Sequence, residues 1–279
     1  LDQGAHLETV ALAYCTQNHL AFRRKVGEGA FKETFEVADS AGQAVALKLY
    51  KAGASSKRSD REVDAMRKCE HPNIARLVKV GTFRHQNEDF VVTIEEFLAG
   101  GTLTDRGQID VQTCRAIGTQ LIEAITHISA AGLVHRDLKP DNIMFRADRK
   151  TPVVVDFGVV RNLSDTSLTP SWAPRGPGTP FFAAPEQLNN EKHHIDWRTD
   201  QFSLGVVLAV AVTGKHPFQL PGIEPYYVVD RVAARQSASP EFSLTTNQLG
   251  LSALERMVKP WAVERYRTPA LLREAWECQ

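Results

Sequence analysis

The chain reads as an α+β protein of two lobes, a small strand-rich N-lobe followed by a larger helical C-lobe. Three observations predict this. From Phe22 to Leu49 apolar residues recur in short strand-like runs broken by turn residues. Beyond residue 103 they recur at helical spacing instead. Gly100-Gly101 stands between the two patterns as a break. The expected organisation is an N-terminal extension over 1–20, a first lobe over 21–98 and a second over 99–279. A cleft between such lobes is where a small ligand is expected to sit.

Leu7, Val10, Ala11 and Tyr14 make a weak helical stripe suited to packing on the back of the first lobe. Thr34-Phe35-Glu36-Val37 and Ala44-Val45-Ala46-Leu47-Lys48, separated by Ser40-Ala41-Gly42, read as a hairpin. Residues 57–69 are charged and helical in rhythm and stop before His71-Pro72-Asn73. Leu77–Val80 and Phe90–Ile94 supply two further strands. Ile117, Leu121, Ile125 and Ile128 fall on one face of a helix that Asp110 can cap. A strand over 152–155 follows, then helices at about 200–213, 225–235, 249–258 and 268–277.

Hydrophobic residues make up 43% of the 279 and charged residues 24%, an ordinary globular balance. Thirty-three basic residues balance thirty-three acidic ones, so no global field favours nucleic acid or an anionic membrane. The four cysteines are scattered and form no ligand spacing, which argues against a disulfide framework or zinc and for a cytoplasmic location. The most apolar run, Leu204–Val212, is too short to span a bilayer. The first residue is Leu rather than Met, so further domains of a longer parent chain are an open expectation.

Residues 135–142 read His-Arg-Asp-Leu-Lys-Pro-Asp-Asn, and fourteen residues after Asn142 comes Asp156-Phe157-Gly158. One stretch supplies a base, a cation and a hard oxygen ligand; the other supplies a second such ligand. In this order and spacing they resemble the eukaryotic-type serine/threonine protein kinases, and the resemblance runs from about Phe22 to Trp276. It implies transfer of the ATP γ-phosphoryl group to a Ser or Thr hydroxyl of a protein substrate, with Mg²⁺ as cofactor and ATP as co-substrate.

Residue by residue, the resemblance makes Asp137 the base that aims the acceptor hydroxyl and Lys139 the cation that neutralises the transferred phosphoryl group. Asn142 and Asp156 become the Mg²⁺ ligands. Lys48, twenty-one residues after Gly27, becomes the α/β-phosphate contact, held by Glu62 on the helix before Pro72. Gly27 and Gly29 cover the phosphates, Val26, Thr34 and Ala46 line the adenine site, and backbone groups of Glu96 and Leu98 bond the adenine. Lys32 and Thr34 depart from the family pattern, which has glycine and valine there.

Asp156 to Glu186 resembles an activation segment, with Thr166, Ser167 and Thr169 as candidates for autophosphorylation and Arg136 as a phosphate-gripping partner. Thr179 matches a threonine that bridges Asp137 and Lys139. Glu186 and Arg265 match a buried ion pair, and Asp200 matches an aspartate that holds the catalytic-loop backbone. The same alignment puts Glu95 where a hydrophobic residue or threonine is usual. Lys48 is its nearest expected cation, and competition with Glu62 for Lys48 would bias the resting state towards inactivity. Two rival readings remain: a pseudokinase acting as a nucleotide-binding or scaffolding module, and a small-molecule kinase.

Overall fold

The computed structural model describes residues 3–29, 32–50, 63–156, 161–162 and 180–279. The chain divides into two compact units. Unit 1 spans 1–70 and 75–98; unit 2 spans 71–74 and 99–279. The short stretch His71–Ile74 joins unit 2 because the Asn73 amide donates to the Pro152 carbonyl (2.7 Å) and Ile74 bridges Val154.

Unit 1 opens with helix α1 (Gln3–Gln17) and continues through β1 (Ala21–Glu28), β2 (Lys32–Ala38) and β3 (Ala44–Tyr50). Residues 63–68 are helical. Strands β4 (Leu77–His85) and β5 (Glu88–Glu96) complete an antiparallel sheet in the order β1-β2-β3-β5-β4. The last two strands run longer than the sequence pattern suggests. Gln86 and Asn87, both at positive φ (46° and 68°), make a two-residue turn whose twist suits the flanking strands.

The two faces of this sheet differ. Phe35, Val37, Val45, Leu47, Leu49, Val92 and Ile94 point one way and are buried, and Leu7, Val10, Ala11, Tyr14 and Cys15 of α1 join the same core. Ring contact between Tyr14 and Phe83, edge-on at 5.2 Å, fixes the helix on the strands. The opposite face carries Thr34, Ala46, Lys48, Thr93 and Glu95, since Thr34 pairs with Lys48, Lys48 with Thr93 and Ala46 with Glu95 across the ladder.

Unit 2 runs through α2 (Leu103–Arg106), α3 (Val111–Ala130), β6 (Leu133–Val134), β7 (Ile143–Phe145), β8 (Pro152–Val154) and β9 (Arg161–Asn162). It then passes through α4 (Pro185–Leu188), α5 (Trp197–Thr213), α6 (Val228–Ala233), α7 (Pro240–Gln248), α8 (Ala253–Met257) and α9 (Pro269–Glu277). Asp110 caps α3 by accepting from the Thr113 N–H, and its carboxyl is held below the usual carboxylate range by the Thr113 backbone and hydroxyl. Helix α5 begins a turn earlier than its apolar run, at the cap supplied by Asp196.

The helix expected over 249–258 is the shorter α8 (Ala253–Met257), and α7 (Pro240–Gln248) stands before it where no helix was expected. Helix α7 buries only Phe242 and Thr246, too few apolar residues to show a period, although Ser239 caps it and Pro240 opens it. Two glycines let helices approach. A Cβ on Gly118 would lie inside the Trp276 indole, 2.6 Å from Cε2, and one on Gly205 would lie 2.8 Å from the Met257 Cβ. These contacts seat α9 on α3 and α8 on α5.

Candidate active site

In unit 2 the stretch His135–Asn142 leaves β6 and returns into β7. Its backbone is held from below by Asp200 of α5, whose carboxylate accepts the N–H groups of His135 (2.7 Å) and Arg136 (2.8 Å). Asp200 is 2% exposed, and burial raises its pKa against the lowering influence of His135 and Arg136. Arg136 sits at φ 69°, a conformation that a non-glycine residue takes only when its surroundings impose it. Gln187 of α4 adds a third restraint, its Nε2 donating to the Arg136 carbonyl at 2.8 Å. His135 is fully buried, with Nε2 3.2 Å from the Val155 carbonyl.

Asp137 is thereby aimed with its neighbours. Lys139 Nζ lies 3.2 Å from Asp137 Oδ2, and Asn142 Nδ2 donates to both the Asp137 carbonyl (2.8 Å) and Oδ2 (3.0 Å). Because the Asn142 side-chain nitrogen faces Asp137, the side-chain Oδ1 is the atom that could meet a cation. Val155 N–H donates to the Asn142 carbonyl (3.0 Å), which carries Asp156 alongside on the strand end after β8. Asp156 has φ 66°, a second left-handed residue among the candidate site residues. Hard oxygen ligands from one amide and one carboxylate suit Mg²⁺, which takes its remaining ligands from phosphate and water.

In unit 1 Lys48 Nζ lies 2.6 Å from Glu95 Oε2, both side chains buried, and Thr93 Oγ1 donates to Glu95 Oε1 at 3.0 Å. Ala46 is buried and Thr34 half-buried on the same face, while Val26 is 39% exposed. Gly27 faces Thr34, and the Gly29 N–H donates to the Lys32 carbonyl (2.8 Å). Lys25 braces this hairpin from its side by bonding both Glu28 (2.7 Å) and Glu33 (3.0 Å). Glu96 makes a reciprocal pair with Arg76: its N–H donates to the Arg76 carbonyl and its carboxylate accepts the Arg76 N–H. Leu98 is buried at the end of the unit. Glu62 and residues 163–179, including Thr166, Ser167, Thr169 and Thr179, lie outside the described residues.

Behind the acceptor region, Arg265 and Glu186 form a bidentate pair (2.7 and 2.9 Å) with exposures of 0% and 2%, and Thr199 Oγ1 donates to Glu186 as well. His216, also buried, donates from Nε2 to the Phe181 carbonyl (2.9 Å) and accepts the Phe218 N–H at Nδ1 (3.2 Å). Burial pushes its pKa down to about 4, which keeps the ring neutral. Sequence reasoning missed Gln187 and His216. Their signal was faint, a polar residue directly after Ala-Pro-Glu and a histidine before Pro217, and neither shows a partner until the chain folds.

The protein kinase domain model matches residues 20–276. This chain belongs to the protein kinase family, and its two units are the strand-rich N-lobe and helical C-lobe of that fold. It is 30% identical over 273 residues to the CBL-interacting serine/threonine-protein kinase 24 of Arabidopsis thaliana, covering 91% of this chain and 56% of that one. It is 28% identical over 278 residues to the hormonally up-regulated neu tumor-associated kinase of Homo sapiens, covering 93% and 36%. With the serine/threonine-protein kinase CHK1 of Saccharomyces cerevisiae it shares 33% over 182 residues, covering 62% and 33%. The chain therefore spans less than two thirds of the length of these relatives. The family generally uses ATP with Mg²⁺ on protein substrates. Among the described residues no helix is long and apolar enough to cross a membrane.

Proposed function

We propose that this chain transfers the γ-phosphoryl group of Mg-ATP to Ser or Thr hydroxyls of proteins, including Thr166, Ser167 or Thr169 of its own activation segment. The observation that carries the reading is the Asp137–Lys139–Asn142 cluster on a backbone pinned by Asp200. Asp137 accepts a hydrogen bond from the incoming hydroxyl and holds its oxygen in line with the γ-phosphorus. As the new O–P bond forms, the bond to the β-phosphate oxygen breaks, ADP leaves, and the hydroxyl proton passes to Asp137. Lys139, anchored to the same carboxylate, lies where it can offset charge on the moving phosphoryl oxygens.

Asn142 and Asp156 are the ligands for Mg²⁺, which when bound neutralises phosphate charge. Lys48 contacts the α/β-phosphates, and the face carrying Thr34 and Ala46 receives the adenine, with Glu96 and Leu98 backbone groups at its edge. The Leu138-Lys139-Pro140 sequence favours Ser/Thr over Tyr acceptors. Cys15, Cys69, Cys114 and Cys278 are all free thiols, which accords with work in a reducing, cytosolic compartment.

The test is transfer of labelled phosphate from ATP to generic protein substrates and to the chain itself, followed by phosphoamino-acid analysis. Label on Ser or Thr that falls by about 100-fold or more in Asp137→Ala is expected. Tight Mg-ATP binding with no label on any protein would make the chain a pseudokinase, and label confined to small molecules would make it a small-molecule kinase.

A further inference from the structure

The Lys48–Glu95 pair has a geometry that the family resemblance does not supply. Lys48 stands directly opposite Thr93 on the β3–β5 ladder and diagonal to Glu95, with all three side chains on one face. The Glu95 carboxylate is 2% exposed, and both oxygens are engaged: Oε2 by the Lys48 ammonium at 2.6 Å and Oε1 by the Thr93 hydroxyl at 3.0 Å. A buried carboxylate is costly unless a cation and hydrogen bonds compensate it, and here both are in place. Cation and anion both stand on hydrogen-bonded strands of one sheet, so their spacing is set by the ladder and needs no helix to move into place.

An ammonium has three N–H donors, and Glu95 takes one, which leaves two for phosphate oxygens. A helix-borne Glu62 is therefore not needed to aim Lys48. We propose that Glu95 is the principal positioning residue for Lys48, doing from the sheet what the resemblance assigns to Glu62. This rests on the reading of Lys48 as the nucleotide-phosphate contact. In consequence Lys48 is aimed at nucleotide whatever the state of the helix before Pro72. The opposite role, in which Glu95 withholds Lys48 from nucleotide, predicts the reverse outcomes.

The test compares Glu95→Gln, Glu95→Asp and Glu62→Gln in the full chain, with kcat and KM for ATP measured separately and folding checked by thermal unfolding. Glu95→Gln is expected to lower kcat by about 10- to 100-fold and to raise KM for ATP by about five- to tenfold, because a displaced Lys48 gives up its phosphate contact in the ground state as well as in the transition state. Glu62→Gln is expected to lose at least roughly tenfold less in kcat than Glu95→Gln, and Glu95→Asp to recover part of the loss. Glu95→Asp, which keeps the charge on a shorter stem, carries the comparison if Glu95→Gln does not fold.

A nucleotide-binding cycle keeps the proposal separate from the kinase reading. Lys48→Met is expected to weaken a fluorescent ATP analogue by about tenfold in the parent chain and less than about twofold in the Glu95→Gln background. Absence of phosphoryl transfer in the parent chain would sink the kinase reading while this coupling still decides the role of Glu95. Turnover unchanged or raised in Glu95→Gln, a larger loss in Glu62→Gln, or an equal Lys48→Met effect in both backgrounds each overturns the proposal.

Discussion

Replacing Arg265 by Met tests the most completely satisfied buried charge in the described part of unit 2. All five guanidinium N–H donors have acceptors: Nε gives to the Lys259 carbonyl, Nη1 to Glu186 and the Arg198 carbonyl, and Nη2 to Glu186 and the Pro260 carbonyl. Methionine fills much of the volume and could still lie against the Phe202 ring that the guanidinium now covers at 4.8 Å. What it cannot do is pair with Glu186, which would keep only the Thr199 hydroxyl, while three carbonyls lose their donors. Removing one partner of a buried pair costs about 3–5 kcal/mol. For a protein of this size that is a fall in Tm of roughly 5–9 °C.

The assay is thermal or urea unfolding of the single variants Arg265→Met and Glu186→Gln and of the double variant. The double variant should lose less than the sum of the singles, because it no longer buries an unpaired charge. Turnover should fall as well, since α4 carries both Glu186 and the Gln187 that bonds the catalytic-loop carbonyl of Arg136. A loss below about 1 kcal/mol in Arg265→Met, or strict additivity, would refute the argument that this pair braces α4 against α5.

Three further outcomes follow from particular contacts. The folded-state pKa of His216, about 4, lies below that of a free imidazole, so its stabilising contribution is fully present above about pH 6.5 and lost as pH falls toward 4, up to about 3 kcal/mol. Stability measured against pH should be shallower over that window in His216→Gln, and parallel profiles would remove His216 as the cause. Gly118→Ala drives a methyl into the Trp276 indole and should destabilise by about 1–3 kcal/mol by urea unfolding, with an unchanged midpoint showing that α9 can shift freely. Val10→Asp places a carboxylate under α1 at a fully buried position. A loss of about 3 kcal/mol or more is expected, and a midpoint equal to the parent's would show that α1 does not belong to the unit 1 core.

Much of this architecture could be read before folding was considered, because it depends on neighbours in sequence. Asp110 caps a helix three residues ahead, the period of Ile117, Leu121 and Ile125 declares its buried face, and Lys139 and Asn142 reach Asp137 within one short loop. Helix α7 escaped notice because its stability comes from a cap and two buried side chains rather than from a stripe. Gln187 and His216 escaped because each serves a backbone group distant in the chain, and an amide or imidazole carries no mark of which carbonyl it will meet.

The chain's order of residues settled which chemical groups are present and which stand within a few positions of one another. The family resemblance pointed to Lys48 beside Glu95 and to Asp200 under the catalytic loop, but only tertiary structure decided that Glu95, 47 residues from Lys48, meets it at 2.6 Å from the same sheet face, and that Asp200 grips the amides of both His135 and Arg136. Short-range bonds need only local torsions, which sequence encodes directly. Long-range ones need strand register and helix packing, where many weak contacts must agree before two charges can meet.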